Sequence, residues 1–217
     1  LYPLPLASSG KTIQENFQKN EVSITRQIKF NTENQRQEID MVVFVNGLPI
    51  ATMELKNAEW ITIETFWGQP SDDVLRGLLG TIEIYFLPRH GRGHKYSPST
   101  VPYKANIAAL KKCGVDHVIS FSACGSLNEV MEPGHFVVID QFVDRTTNRD
   151  KSFFGTNCVG HVSLADPTCT CQNDLIIAAS KGTDLIVHQK GTYLAMEGPQ
   201  FSTRAESLIY KNSWNCD

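Results

Sequence analysis

The 217 residues carry a formal net charge of −3, with 41% hydrophobic and 20% charged residues. That balance describes an ordinary globular chain with room for one α/β core, or for one domain and part of another. It excludes a general attraction to nucleic-acid phosphates, and no window approaches the roughly 18 apolar residues that a membrane span requires.

The opening LYPLPLASSG lacks the basic region and long apolar run of a signal peptide, and both ends read as those of a piece of chain. Without an export signal, the six cysteines read as reduced thiols of a cytoplasmic protein. Cys158, His161, Cys169 and Cys171 are spaced like no zinc site, so no metal is expected there.

In chain order, residues 22–29 alternate polar and apolar side chains and predict a half-buried strand. The polar NTENQRQE that follows reads as a loop. MVVFV and LPIATMEL flank Asn46-Gly47, the strongest short signal for a β-hairpin. Residues 1–57 hold six basic and six acidic residues, so this segment is neutral.

From Ala58 the pattern changes to strands alternating with helices. Strands are predicted over 61–65, 82–88, 117–123, 135–143 and 192–198, with helices over 105–112, 173–181 and from Arg204 to Tyr210. Such alternation predicts a mostly parallel α/β sheet. Two domains are therefore expected, 1–57 and 58–217.

Three stretches carry candidate chemistry. In Leu87-Pro88-Arg89-His90-Gly91-Arg92-Gly93-His94, an arginine and a histidine follow a buried strand in a turn that glycine permits. Ligands of open α/β sheets gather beyond the carboxyl ends of the strands. A guanidinium fork grips phosphate with two hydrogen bonds, and His90 can add another. The same residues equally fit a basic surface loop. Ser122-Ala123-Cys124-Gly125-Ser126 offers small residues whose N–H groups can approach an oxyanion, although a turn selected for packing reads the same way. Met196-Glu197-Gly198-Pro199-Gln200-Phe201-Ser202 sets an aromatic beside a polar turn. Phe201 can stack on a purine or fill the core, and His161 can be a ligand contact or a structural histidine.

The strings FLPRHGRGH, ANIAAL, SACGSL, PGHFVVIDQFVDRT, KSFFGT, GHVSLADP and GTYLAMEGPQFSTRAES resemble 5′-methylthioadenosine phosphorylase of the purine nucleoside phosphorylase family, from about Trp60 onward. The resemblance implies an incomplete nucleoside phosphorylase-type mixed sheet flanked by helices, preceded by a small hairpin-rich segment. It implies phosphorolysis of methylthioadenosine to adenine and 5-methylthioribose 1-phosphate, with inorganic phosphate as co-substrate, no further cofactor, no metal, and a homotrimer. On the same ground Arg89, His90, Ser122 and Ala123 are expected to contact phosphate, and Phe201 the purine. Ser202 would bear on substrate choice, and His161 would line the 5′-methylthio pocket. The family's purine-side aspartate pair would lie past Asp217. Phe66 departs from the family's usual proline, and residues 210–214 run one residue longer than its pattern.

A second resemblance covers residues 20–57. TRQIKF and EIDMVVFVNGLPIATMELKN are similar to the amino-terminal nuclease domain of type I restriction subunits. Asp40, Glu54 and Lys56 match that family's Asp…Glu-x-Lys positions, where two carboxylates share Mg²⁺ and the lysine assists. By spacing alone, Glu-x-Lys also fits a solvated strand face. The alternatives to the phosphorylase are thus a Mg²⁺-dependent endonuclease fragment and an inactive chimeric remnant.

Overall fold

The computed structural model describes residues 24–25, 28–29, 38–39, 41–45, 48–53 and 55–217. The chain divides into two compact units, Leu1–Phe121 and Ser122–Asp217.

The first unit opens with short antiparallel ladders. β1 (Ile24–Thr25) pairs with β4 (Met41–Val45), which pairs with β5 (Leu48–Met53), while β2 (Ile28–Lys29) pairs with β3 (Glu38–Ile39). The strand predicted over 22–29 is therefore two short ones. Val45 faces Leu48 across a two-residue connection, as the expected hairpin requires. Its turn residues, Asn46 and Gly47, and most of the polar loop before it lie outside the described residues.

Next comes an antiparallel meander of β6 (Lys56–Ile61), β7 (Val74–Leu79) and β8 (Ile82–Phe86). The strand predicted over 61–65 is displaced: β6 ends at Ile61. The partner β7 sets that limit, with Ile61 opposite Val74 and Trp60 opposite Leu75, and the register shifts between Lys56 and Glu59. Asn57, at φ +56°, takes up that shift as a bulge. Val74 and Leu75 are fully buried, and Leu55 packs on Leu75 with Ala58, Trp60 and Phe86. Gly77 has to be glycine, because a Cβ there would lie 2.9 Å from the Leu55 Cβ.

α1 (Tyr103–Lys112) starts two residues before its predicted boundary and buries Ala105, Asn106 and Ala109. Its last turn carries Lys111 and Lys112, which complement the negative end of the helix dipole. The predicted strand over 117–123 does not form. Val118, Ile119 and Phe121 are each more than half exposed, and no described residue pairs with this stretch to make a ladder.

In the second unit the ladders are parallel. β9 (Phe136–Val137) pairs with β11 (Val187–His188), and β10 (Gln141–Arg145) pairs with β12 (Thr192–Met196). The single strand predicted over 135–143 is split because its halves have different partners. At the break, Asp140 donates its N–H to the Gly191 carbonyl and accepts from the Gly191 N–H through its carboxylate, both at 3.2 Å. Parallel pairing is thus confined to this unit, and the described first-unit ladders are antiparallel. For β4–β5 and β7–β8, each joined by a two-residue connection, no other pairing is possible.

α2 (Thr170–Ser180) lies between β10 and β11 and buries no residue. Asn173 ties it down by donating to the Ile139 carbonyl at 3.1 Å. α3 (Arg204–Trp214) opens with a capping box: Thr203 Oγ1 accepts from the Glu206 N–H, and the Glu206 carboxylate accepts from the Thr203 N–H at 2.7 Å. The helix stops where Asn215 turns left-handed at φ +52°, with Tyr210 buried beneath. The fold is α/β, with mixed pairing and flanking helices. Among the described residues, no helix is long and apolar enough to cross a membrane.

Candidate functional site

The loop after β8 is built from two consecutive turns. Gly91 N–H donates to the Pro88 carbonyl at 2.8 Å and His94 N–H to the Gly91 carbonyl at 3.0 Å. Gly91 and Gly93 sit at φ +74° and +76°, and a Cβ on Gly91 would come within 2.9 Å of the Ser71 carbonyl oxygen. Arg89 stands exposed on this loop. His90 is half-buried and donates from Nδ1 to the Tyr96 carbonyl at 2.8 Å, while its ring stacks on His94 at 4.3 Å and 9°. Burial lowers the His90 pKa from its ordinary 6.5, and the positive charge of Arg89 and the His94 ring add to this against the hydrogen bond to Tyr96. The shift favours the neutral imidazole.

Contacts from Asp72, Asp73 and Asn106, not anticipated from the sequence, fix this loop. The Asp72 side chain, only 4% exposed, accepts from the Arg92 N–H at 2.6 Å and from its Nη2 and Nε at 2.6 and 3.0 Å. Burial alone would raise the Asp72 pKa, but the hydrogen bonds from Arg92 and Asp73 outweigh it and hold the carboxyl below its ordinary value. The Arg92 guanidinium also reaches Asp73 at 3.2 Å and lies 4.2 Å over the Trp60 ring. One residue before Asp72, the Ser71 N–H donates to the Asn106 amide oxygen at 2.7 Å, and the Asn106 amide donates to Ser71 Oγ at 2.8 Å. Both residues are buried, so α1 is stitched to the segment that holds the loop. The only sequence signal for this arrangement is the pair Asp72-Asp73, which no periodicity links to an arginine twenty residues on.

In the second unit, Ser122 and Ala123 are exposed and belong to no strand or helix. The expected placement at a strand end is corrected accordingly, since the strand before them does not form. Phe201 is 63% exposed, which removes the core alternative for it. Ser202 shares a 2.7 Å hydrogen bond with Ser207 that links the turn to α3. His161 is exposed in an irregular stretch between Val159 and Val162, themselves 77% and 78% exposed. The structure thus brings Arg89 and His90 onto one loop, and Phe201 and Ser202 onto one turn. Lys56 begins β6 and is exposed, whereas Asp40 and Glu54 lie outside the described residues.

The turn carrying Phe201 is braced by a clamp that sequence reading missed. β10 and β12 are parallel neighbours, with Arg145 opposite Met196, so their following segments leave from the same edge. There the Glu197 carboxylate accepts from the Thr147 and Asn148 N–H groups at 2.6 and 3.1 Å. Arg149 Nη2 donates to the Met196 and Glu197 carbonyls, both at 3.2 Å. The same segment is tied again at Asp144, which accepts from the Thr146 N–H and Oγ1 and pairs with Lys151 at 2.8 Å. Burial opposes ionisation of Asp144, but Lys151 and Thr146 prevail and lower its pKa to about 2. All six cysteines are free thiols, and among the described residues no three His, Cys, Asp or Glu side chains cluster as metal ligands.

Comparison with known proteins places these observations in a family. The model of the phosphorylase superfamily matches residues 42–216, and that of the type I restriction enzyme R protein N terminus matches residues 8–69, so the two overlap over 42–69. The S-methyl-5′-thioadenosine phosphorylase of Cereibacter sphaeroides is 59% identical over 177 residues, covering 81% of this chain and 61% of that protein. Its Bradyrhizobium diazoefficiens counterpart is 50% identical over 159 residues, 73% of this chain and 55% of that protein. Among solved structures, a methylthioadenosine phosphorylase from an antarctic soil metagenomic library superposes with a TM-score of 0.71 at 48% identity, over 73% of this chain and 56% of that one. The Schistosoma mansoni methylthioadenosine phosphorylase in complex with adenine gives 0.69 at 35% identity, over 74% and 65%. The chain spans about three-fifths or less of the length of these curated relatives. With the superfamily match running across both compact units, the chain belongs to the phosphorylase superfamily.

Proposed function

We propose that this chain works in phosphorolysis of 5′-methylthioadenosine, as a pentosyltransferase releasing adenine and 5-methylthioribose 1-phosphate. The observation that carries the reading is the match over 42–216, which runs through every phosphorylase position named above, together with 59% identity to an S-methyl-5′-thioadenosine phosphorylase. Arg89 holds two phosphate oxygens with its guanidinium fork and His90 contacts the anion beside it. Phosphate fixed in this way attacks C1′ as the bond to adenine breaks and the ribose develops oxocarbenium character. The work is positioning and electrostatics, and it needs no organic cofactor or metal. Phe201 stacks on the departing purine, Ser202 bears on substrate choice, and His161 lines the 5′-methylthio pocket. The working form is a cytoplasmic homotrimer serving purine and methionine salvage, and the phosphorylase part begins at about residue 58.

The test is adenine release from methylthioadenosine with and without inorganic phosphate. Release that requires phosphate, yields the sugar 1-phosphate and is lost in Arg89→Ala is expected. No phosphate-dependent release would leave the inactive-remnant reading standing.

The match of residues 8–69 to the restriction-subunit model supports a second reading, in which Asp40 and Glu54 hold Mg²⁺ and Lys56 assists cleavage of duplex DNA. Mg²⁺-dependent cleavage by the intact chain that disappears in Glu54→Ala would establish it, and no cleavage would remove it.

A further inference from the structure

His90 has one ring nitrogen already committed. Its Nδ1 lies 2.8 Å from the Tyr96 carbonyl oxygen. A carbonyl oxygen accepts and never donates, so Nδ1 carries the proton. The contact is reinforced by the backbone, because the Tyr96 N–H donates to the His90 carbonyl at 3.1 Å. Side chain and main chain of His90 therefore grip the same residue, and the ring is held in one tautomer.

A neutral imidazole has a single N–H. With that proton on Nδ1, Nε2 presents a lone pair and acts only as an acceptor. Reversing this requires a second proton, and three features oppose it. The His94 ring lies parallel at 4.3 Å, Arg89 is the adjacent residue with a permanent charge, and the His90 side chain is half-buried. Desolvation and these neighbours lower the affinity of the ring for that proton.

We propose that His90 reads the proton on the anion: Nε2 accepts a hydrogen bond from the P–OH group of hydrogen phosphate, so the site takes protonated phosphate and discriminates against sulfate. The inference rests on the assignment of phosphate to the Arg89–His90 loop made above and adds the selectivity of that contact. Arg89, a pure donor, serves the unprotonated oxygens. The two residues together thus match the mixed surface of HPO4²⁻, with bare oxygens on one side and a hydroxyl on the other. Sulfate has the same shape and charge but no hydroxyl at neutral pH, so one of its oxygens would face the Nε2 lone pair with no hydrogen between them.

The experiment measures phosphate and sulfate affinities for the intact chain by calorimetry at mildly alkaline pH, in parallel with long-range ¹⁵N–¹H NMR of the histidine rings. Phosphate is expected to bind about ten- to a hundredfold more tightly than sulfate, the factor that one buried unmade hydrogen bond produces. His90→Asn retains a donor for Tyr96 but offers no acceptor at the Nε2 position, and its preference should collapse toward parity. The NMR should find the proton of His90 on Nδ1, a readout that needs neither the variant nor an anion. Equal affinities in the unmodified chain, a proton on Nε2, or a preference that survives His90→Asn would each overturn the inference while leaving phosphate binding intact. A chain that binds neither anion refutes the phosphate assignment itself, and the role of His90 with it.

Discussion

Asp72→Ala is the perturbation that most sharply tests how the Arg89–His90 loop is held. The carboxylate accepts from the Arg92 N–H, from two nitrogens of the Arg92 guanidinium and from the Asp73 N–H. A hydrogen bond to a charged group contributes about 1.5–3 kcal/mol. The Arg92 side chain is 49% exposed, so water replaces much of its share once the carboxylate is gone. The two backbone N–H groups gain less from solvent, because the Asp72 side chain they meet is only 4% exposed. We therefore predict a net loss of about 2–3 kcal/mol, which for a chain of this length lowers Tm by about 5–10 °C. Chemical denaturation followed by tryptophan fluorescence is the assay, with Trp60 reporting locally because the Arg92 guanidinium lies over its ring. The effect carries a pH signature. The folded pKa of Asp72 lies below the ordinary 3.8, so its stabilisation is present above that value and is lost as pH falls through it toward the folded value. The gap between wild type and variant should thus be widest at neutral pH and close in acid. A loss under about 0.5 kcal/mol, the range of an ordinary surface substitution, or a gap that widens in acid would show that Asp72 does not anchor the loop.

Two further substitutions probe the supports of the candidate site. Asn106→Leu keeps the bulk but leaves the Ser71 N–H and hydroxyl buried without their partner, and should cost about 2–3 kcal/mol in denaturation experiments. Glu197→Ala removes the acceptor for the Thr147 and Asn148 N–H groups, and should cost about 2 kcal/mol while speeding hydrogen exchange at those two amides. Unchanged exchange there would show that the clamp does not hold that segment.

Local chemistry made part of the fold legible. The run 82–88 contains β8, the Asn46-Gly47 signal sits between strands that do pair, and α3 begins where Thr203 and Glu206 form a capping box. What failed depends on partners distant in sequence. VLRGLL does not alternate, because Gly77 is required by the Leu55 side chain above it, and without β7 the limits of β6 were unreadable. HVISFSA is as apolar as a buried strand, yet a strand exists only with a ladder partner, and this stretch has none among the described residues. The break at Asp140 is set by Gly191, fifty-one residues away.

The candidate site divides along the same line. Arg89, His90 and Phe201 stand in strings specific enough to be recognised one by one. Asp72 and Arg92, or Glu197 and Thr147, meet only after folding, and neither pair leaves a trace in the local pattern.

Phosphate binding at the Arg89–His90 loop is the proposal on which the functional reading stands. Titrating phosphate into the ¹⁵N-labelled intact chain tests it most directly. Saturable shifts of the amide resonances from Arg89 to Gly93, abolished by Arg89→Ala, are expected. No shift along that loop, or shifts that Arg89→Ala leaves unchanged, would contradict phosphate binding there.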